Sequence, residues 1–95
     1  MRKIEKNMVA AVNARRNWSE SNTAVRTSEN GTVVTLHGNM IFLRHSNGRE
    51  AVNLCGWNTV TTRSRLRALG VDIRTKSGQA YIGTRPCPNR GWVEL

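Results

Sequence analysis

The chain has 95 residues, enough for one domain spanning 1–95 with a single modest core. Its 15 Lys+Arg against 6 Asp+Glu leave a net charge of +9, and twelve of the cations are arginine. No apolar run approaches bilayer-crossing length and residues 1–6 lack a signal-peptide core, so a cytoplasmic protein with reduced thiols and no membrane role is expected.

Residues 1–17 predict an amphipathic helix. Ile4, Met8, Ala11 and Val12 recur on one 3.6-residue stripe, while Lys3, Lys6, Asn13 and Arg16 face away from it. Arg15 and Arg16 fall in its expected last turn, where cations complement the helix dipole. Residues 18–22 are polar and read as a connection.

From Thr23 the period changes to two. Strands are expected at 23–28, 32–37, 40–45 and 50–55, joined at Glu29-Asn30-Gly31, His37-Gly38-Asn39 and Ser46-Asn47-Gly48-Arg49. This is a four-stranded antiparallel meander. Its imperfect alternation fits a sheet covered by helices on one face and partly covered on the other.

The segment 56–70 reads as a second helix. Thr59, Thr61 or Thr62 supplies a cap, Gly70 stands where the chain must leave the helix, and Leu66 and Leu69 face the core. Arg63 and Arg67 share an outer face and Arg65 points elsewhere. Residues 71–75 and 79–84 form a hairpin about Ser77-Gly78, and 85–95 is an irregular tail that Trp92 and Val93 pin back. The fold class is α+β in the order α-ββββ-α-ββ: an N-terminal helix (1–17), a sheet and central helix (23–84), and the tail.

The six acids are scattered, with no pair at a spacing suited to acid–base work. There is no Gly-rich phosphate loop and no serine elbow, so a non-enzymatic protein without cofactors is expected. The spacing of His37, His45, Cys55 and Cys87 matches no zinc pattern, and Cys55 reads as a small buried hydrophobe. Trp57 is expected to be a buried anchor and Trp92 the accessible tryptophan.

Arginine's planar fork suits phosphates and stacking, so the charge points to a polyanion: nucleic acid or an acidic protein surface. The start of the central helix is the first candidate contact, with its free N–H donors, Thr61, Thr62, Arg63, Arg65 and Arg67. Arg44, Arg49, Arg74 and Lys76, at or near hairpin ends, form a second group. A capped helix carrying merely solvated arginines also fits these residues. Strand edges at 23–28 or 79–84 would serve as a homodimer seam.

Several segments carry a family likeness. They are Met1-Arg2-Lys3-Ile4-Glu5-Lys6, Arg16-Asn17-Trp18-Ser19, Asn22-Thr23, Leu36-His37-Gly38-Asn39-Met40-Ile41 and Gly56-Trp57-x-Thr59-x-Thr61-Thr62-x-Ser64-Arg65-Leu66. Together they resemble small proteins of tailed bacteriophages, up to Gly83. The tail from Arg85 and the run Arg65-Leu66-Arg67 depart from that likeness. The resemblance implies expression in a bacterial host cytoplasm and a host-takeover or counter-defence role. Such a role would act on nucleic acid or by inhibiting a host nucleic-acid enzyme; a minor virion component is the third implied reading.

Overall fold

A computed structural model describes residues 2–95, so Met1, the first residue of the expected 1–17 helix, lies outside it. Helix α1 (Lys3–Ala14) stops where Arg15 adopts φ 52° and the N–H groups of Arg15 and Arg16 return to the carbonyls of Val12 and Ala11. This left-handed closure satisfies carbonyls that would otherwise be orphaned. Arg15 and Arg16 therefore terminate the helix and do not sit in its last turn.

Strands β1 (Trp18–Glu20), β2 (Thr23–Ser28), β3 (Gly31–Leu36), β4 (Asn39–His45) and β5 (Glu50–Val52) follow. Helix α2 (Val60–Ala68) and strands β6 (Ile73–Lys76), β7 (Gln79–Ile82), β8 (Arg85–Pro86) and β9 (Val93–Glu94) complete the order. The class is α+β as read, with β2 to β5 the expected antiparallel meander. Two differences matter. The connection expected at 18–22 begins with a strand, because Trp18 pairs with Val25 and packs on the core. The tail expected to be irregular supplies β8 and β9, and β9 pairs with β5.

The large sheet runs β1-β2-β3-β4-β5-β9, and the small one β6-β7-β8. Register aligns Trp18, Val25, Val34, Phe42, Val52 and Val93 across all six strands of the large sheet. Met8, Ala11 and Val12 of α1 join these residues in one core with Leu66 and Leu69 from the end of α2. Full burial of a side chain such as Phe42 stabilises the fold by about 1.5–3 kcal/mol.

The expected dimer seams are both occupied. β2 lies between β1 and β3, and β7 between β6 and β8. The free edges belong to strands of two to four residues, too short to template much pairing.

Two local departures shape the site. At the first hairpin the loop residues are Glu29-Asn30, and Gly31 already pairs with Ser28 inside the ladder. A Cβ at Gly31 would lie 2.5 Å from the Arg44 carbonyl oxygen, so the glycine is demanded by strand approach and not by the turn alone. Between β3 and β4 a bulge sets Val34 opposite Phe42 and Thr35 opposite Met40. Ile41 is the extra residue, and both Ile41 and Phe42 are buried.

Candidate functional site

After β5 the chain reverses at Cys55-Gly56. Both residues have positive φ, 56° and 81°, and the N–H of Trp57 donates to the Leu54 carbonyl at 2.8 Å. Two such residues in a row are the pattern of a tight hairpin-type reversal. The tail clamps it: the Gly56 N–H donates to the Asn89 carbonyl at 2.7 Å, and the Arg90 guanidinium occupies the space a Cβ on Gly56 would need. Thr59 then caps α2, its hydroxyl accepting from the Thr62 N–H at 3.1 Å and lying 2.9 Å from the Thr62 hydroxyl. At the far end Gly70 and Val71 donate to the carbonyls of Arg67 and Leu66, the closure expected of a glycine at that place.

Between the β3–β4 turn, the Cys55-Gly56 reversal and the start of α2 lies a groove of about 540 Å³. Leu36, Ile41 and Leu54 give it an apolar floor, and His37, Asn39, Thr59 and Thr61 give it polar edges. Trp57 forms one wall. Its side chain was expected to be a buried anchor, but it is 61 % exposed, more than Trp92 at 43 %. The reversal at Cys55-Gly56 points it outward, a geometry that a Cys-Gly pair does not announce. Thr61 is half-buried on the groove, whereas Thr62 is buried and committed to the cap.

Most of the arginines proposed for anion contact already have structural partners. Arg65 is 4 % exposed and reaches Glu5 of α1 at 2.8 Å, with its Nε donating to Thr23 at 3.1 Å. Arg63 was expected on the outer face and is also buried, because helical side chains lean toward the N-terminus and this one folds back onto Asn58. Its Nη1 donates to the Asn58 carbonyl and to Asn58 Oδ1, while its Nε faces no acceptor. Arg67 is exposed, though its Nε donates to the Ile73 carbonyl at 2.9 Å. The helix arginines thus do not form one outward cluster.

The second group divides. Arg44 pairs with Glu50 at 2.7 Å, donates to Asn13 of α1 and lies over the Phe42 ring. Arg49 stands exposed in the β4–β5 turn. Arg74 and Lys76 share one face of the small sheet with Gln79 and Tyr81, opposite which they pair. There they line a shallow groove of about 370 Å³, with Arg74 bonded to exposed Asp72 at 3.1 Å.

A family model described as Kyanoviridae Gp96 protein matches residues 1–94. The chain belongs to this family. It is therefore a small protein of tailed phages, in agreement with the resemblance read from its segments. No curated protein matches the chain, and no solved structure does.

In this Gp96 family member, residues from 36–41 and 56–66 meet at the larger groove. Burial pushes the Cys55 thiol up despite the opposing charge of Arg90, and burial alone pushes Cys87 up. The Cys55 thiol donates to the Met40 carbonyl at 3.1 Å, and Cys55 is half-exposed where a buried side chain was expected. Among the described residues no three His, Cys, Asp or Glu side chains group to hold a metal ion, and no helix is long and apolar enough to cross a membrane.

Proposed function

We propose that this phage protein binds nucleic acid non-enzymatically, in the host cytoplasm, as a host-takeover or counter-defence factor. One observation carries the reading: exposed positive charge without matching acid. Twelve of the fifteen cationic side chains are exposed, and only Arg74 among those twelve is in an ion pair. Among the described residues, the acids Glu20, Glu29 and Glu94 form no ion pair. Such an unbalanced surface attracts a polyanion and lowers its own electrostatic energy by doing so.

The contact set differs from a helix-arginine cluster. Arg63 and Arg65 support the fold, so the phosphate contacts fall to exposed cations: Arg67, Arg49, Arg90, Arg74 and Lys76 beside the half-buried Tyr81, with Lys3 and Lys6 on α1. A cation pair beside an aromatic on a sheet face suits a phosphate backbone with an adjacent base.

Mobility shifts with DNA and RNA over a salt series test the proposal. Binding should weaken steeply with salt, the slope of log K against log salt being about 0.9 per phosphate neutralised on duplex DNA. Lys76→Ala with Arg74→Ala should reduce that slope. Absence of binding at low salt would sink the reading. A single acidic protein retained from host lysate after nuclease treatment would replace it with inhibition of a protein target.

A further inference from the structure

The groove beside Trp57 has a composition that the general basic surface does not explain. Its floor is apolar, its edges carry hydroxyl, amide and imidazole groups, and one wall is a tryptophan face left open to water. Exposing an indole is unfavourable, and here the Cys55-Gly56 reversal imposes it. The backbone at Trp57 is held in place. Its N–H is bonded to Leu54, its carbonyl accepts from the Thr59 N–H at 2.9 Å, and the turn before it is clamped by Asn89 and Arg90. A positive-φ cysteine at position 55 is a strained choice that this clamp maintains.

Charge beside the groove favours an anionic occupant: neither Arg90 nor Arg63 lines it, but each is held against a residue next to one that does. Arg90 packs against Gly56, next to Trp57 in the chain. Arg63 is buried against Asn58, the next residue on, and no carboxylate pairs with it. The α2 N-terminus adds its own partial positive charge beside Thr59 and Thr61. A planar, partly apolar ring linked to an anion suits a groove with Trp57 on one wall, Leu36, Ile41 and Leu54 on its floor, and Arg90 near its lining residue Cys55.

We infer that the groove receives an unpaired base of single-stranded nucleic acid, stacked on Trp57. This deepens the proposed nucleic-acid binding and rests on it. A duplex hides its base faces, so a groove of this kind adds affinity only for single strands or for bases already displaced from the stack.

The test compares wild type, Trp57→Ala and Trp57→Phe, using a fluorescein-labelled thymidine oligonucleotide, the same oligonucleotide with abasic sites, and a duplex of equal length. Because Trp57 is exposed, circular dichroism should show all three proteins folded alike. Trp57→Ala is expected to lower the ratio of single-strand to duplex affinity roughly tenfold or more, and Trp57→Phe to restore most of it. Wild type should bind the abasic strand about as weakly as Trp57→Ala binds the intact one. An unchanged ratio in Trp57→Ala overturns the inference while leaving nucleic-acid binding in place, as would follow if the groove took an apolar peptide instead. Failure of wild type to bind any of the three probes at low salt overturns both.

Discussion

Glu5 occupies a place on the inner face of α1 where an aliphatic residue would pack, and its carboxylate is answered by Arg65 from α2, sixty positions away. Ser64 donates to the same oxygen at 2.6 Å, and Thr23 and Asn22 take up further guanidinium bonds. Burial pushes the Glu5 carboxyl up, but the bonds from Ser64 and Arg65 and the Arg65 charge outweigh it and hold the carboxyl below its ordinary value of 4.5. A depressed carboxylate stabilises the fold above its unfolded pKa, so this contribution is complete at neutral pH and is lost as pH falls below about 4.5 through the folded value. Arg65→Ala leaves a buried carboxylate unpaired and should cost about 3–5 kcal/mol in urea unfolding at neutral pH. The deficit should shrink on acidification, since protonating Glu5 relieves the variant while wild type loses its pair. Glu5→Leu with Arg65→Met should recover most of the stability. None of this was legible locally: a charged residue in an amphipathic helix reads as solvated, and pairing across the core depends on tertiary placement.

Among the elements, what the sequence announces is what local chemistry decides. Thr59, one of the three threonines offered as the cap, and Gly70 bound α2, and the 3.6 and 2 periods located α1 and β2 to β5. What escaped depends on distant backbone. Arg63 looked outward by helical spacing, yet its side chain folds back onto Asn58 and is buried. Trp57 looked like an anchor until the Cys55-Gly56 reversal turned it outward. Gly31 illustrates the same limit. An Asn-Gly pair suggests a turn glycine, whereas Gly31 is a strand residue pressed against the Arg44 carbonyl. Gly31→Ala should therefore destabilise by about 3 kcal/mol or more, combining a clash with backbone strain. Gly48→Ala, with φ 91° but nothing within 4 Å, should cost about 1 kcal/mol. Urea midpoints of the two variants separate these mechanisms; equal losses would show that the strand approach at Gly31 is unimportant.

For the molecule as a whole, the excess charge that favours a polyanion also opposes folding of the free protein, because exposed like charges repel. Moderate salt should therefore raise the Tm of the isolated chain by about 2–4 °C, equivalent to screening about half a kcal/mol. The same salt weakens nucleic-acid binding, so stability and affinity should move in opposite directions; a Tm indifferent to salt would show that the exposed cations are too dispersed to repel one another. The closing strand β9 has a consequence in time as well as space. β5 is paired on its outer side by residues 93–94, and the Cys55-Gly56 reversal is held by Asn89 and packed by Arg90. While the chain is being synthesised, its first five strands can pair in order, but the lip that presents Trp57 is assembled last. A ribosome stalled before that point would yield a nearly complete sheet with an open β5 edge, a species prone to wrong pairing.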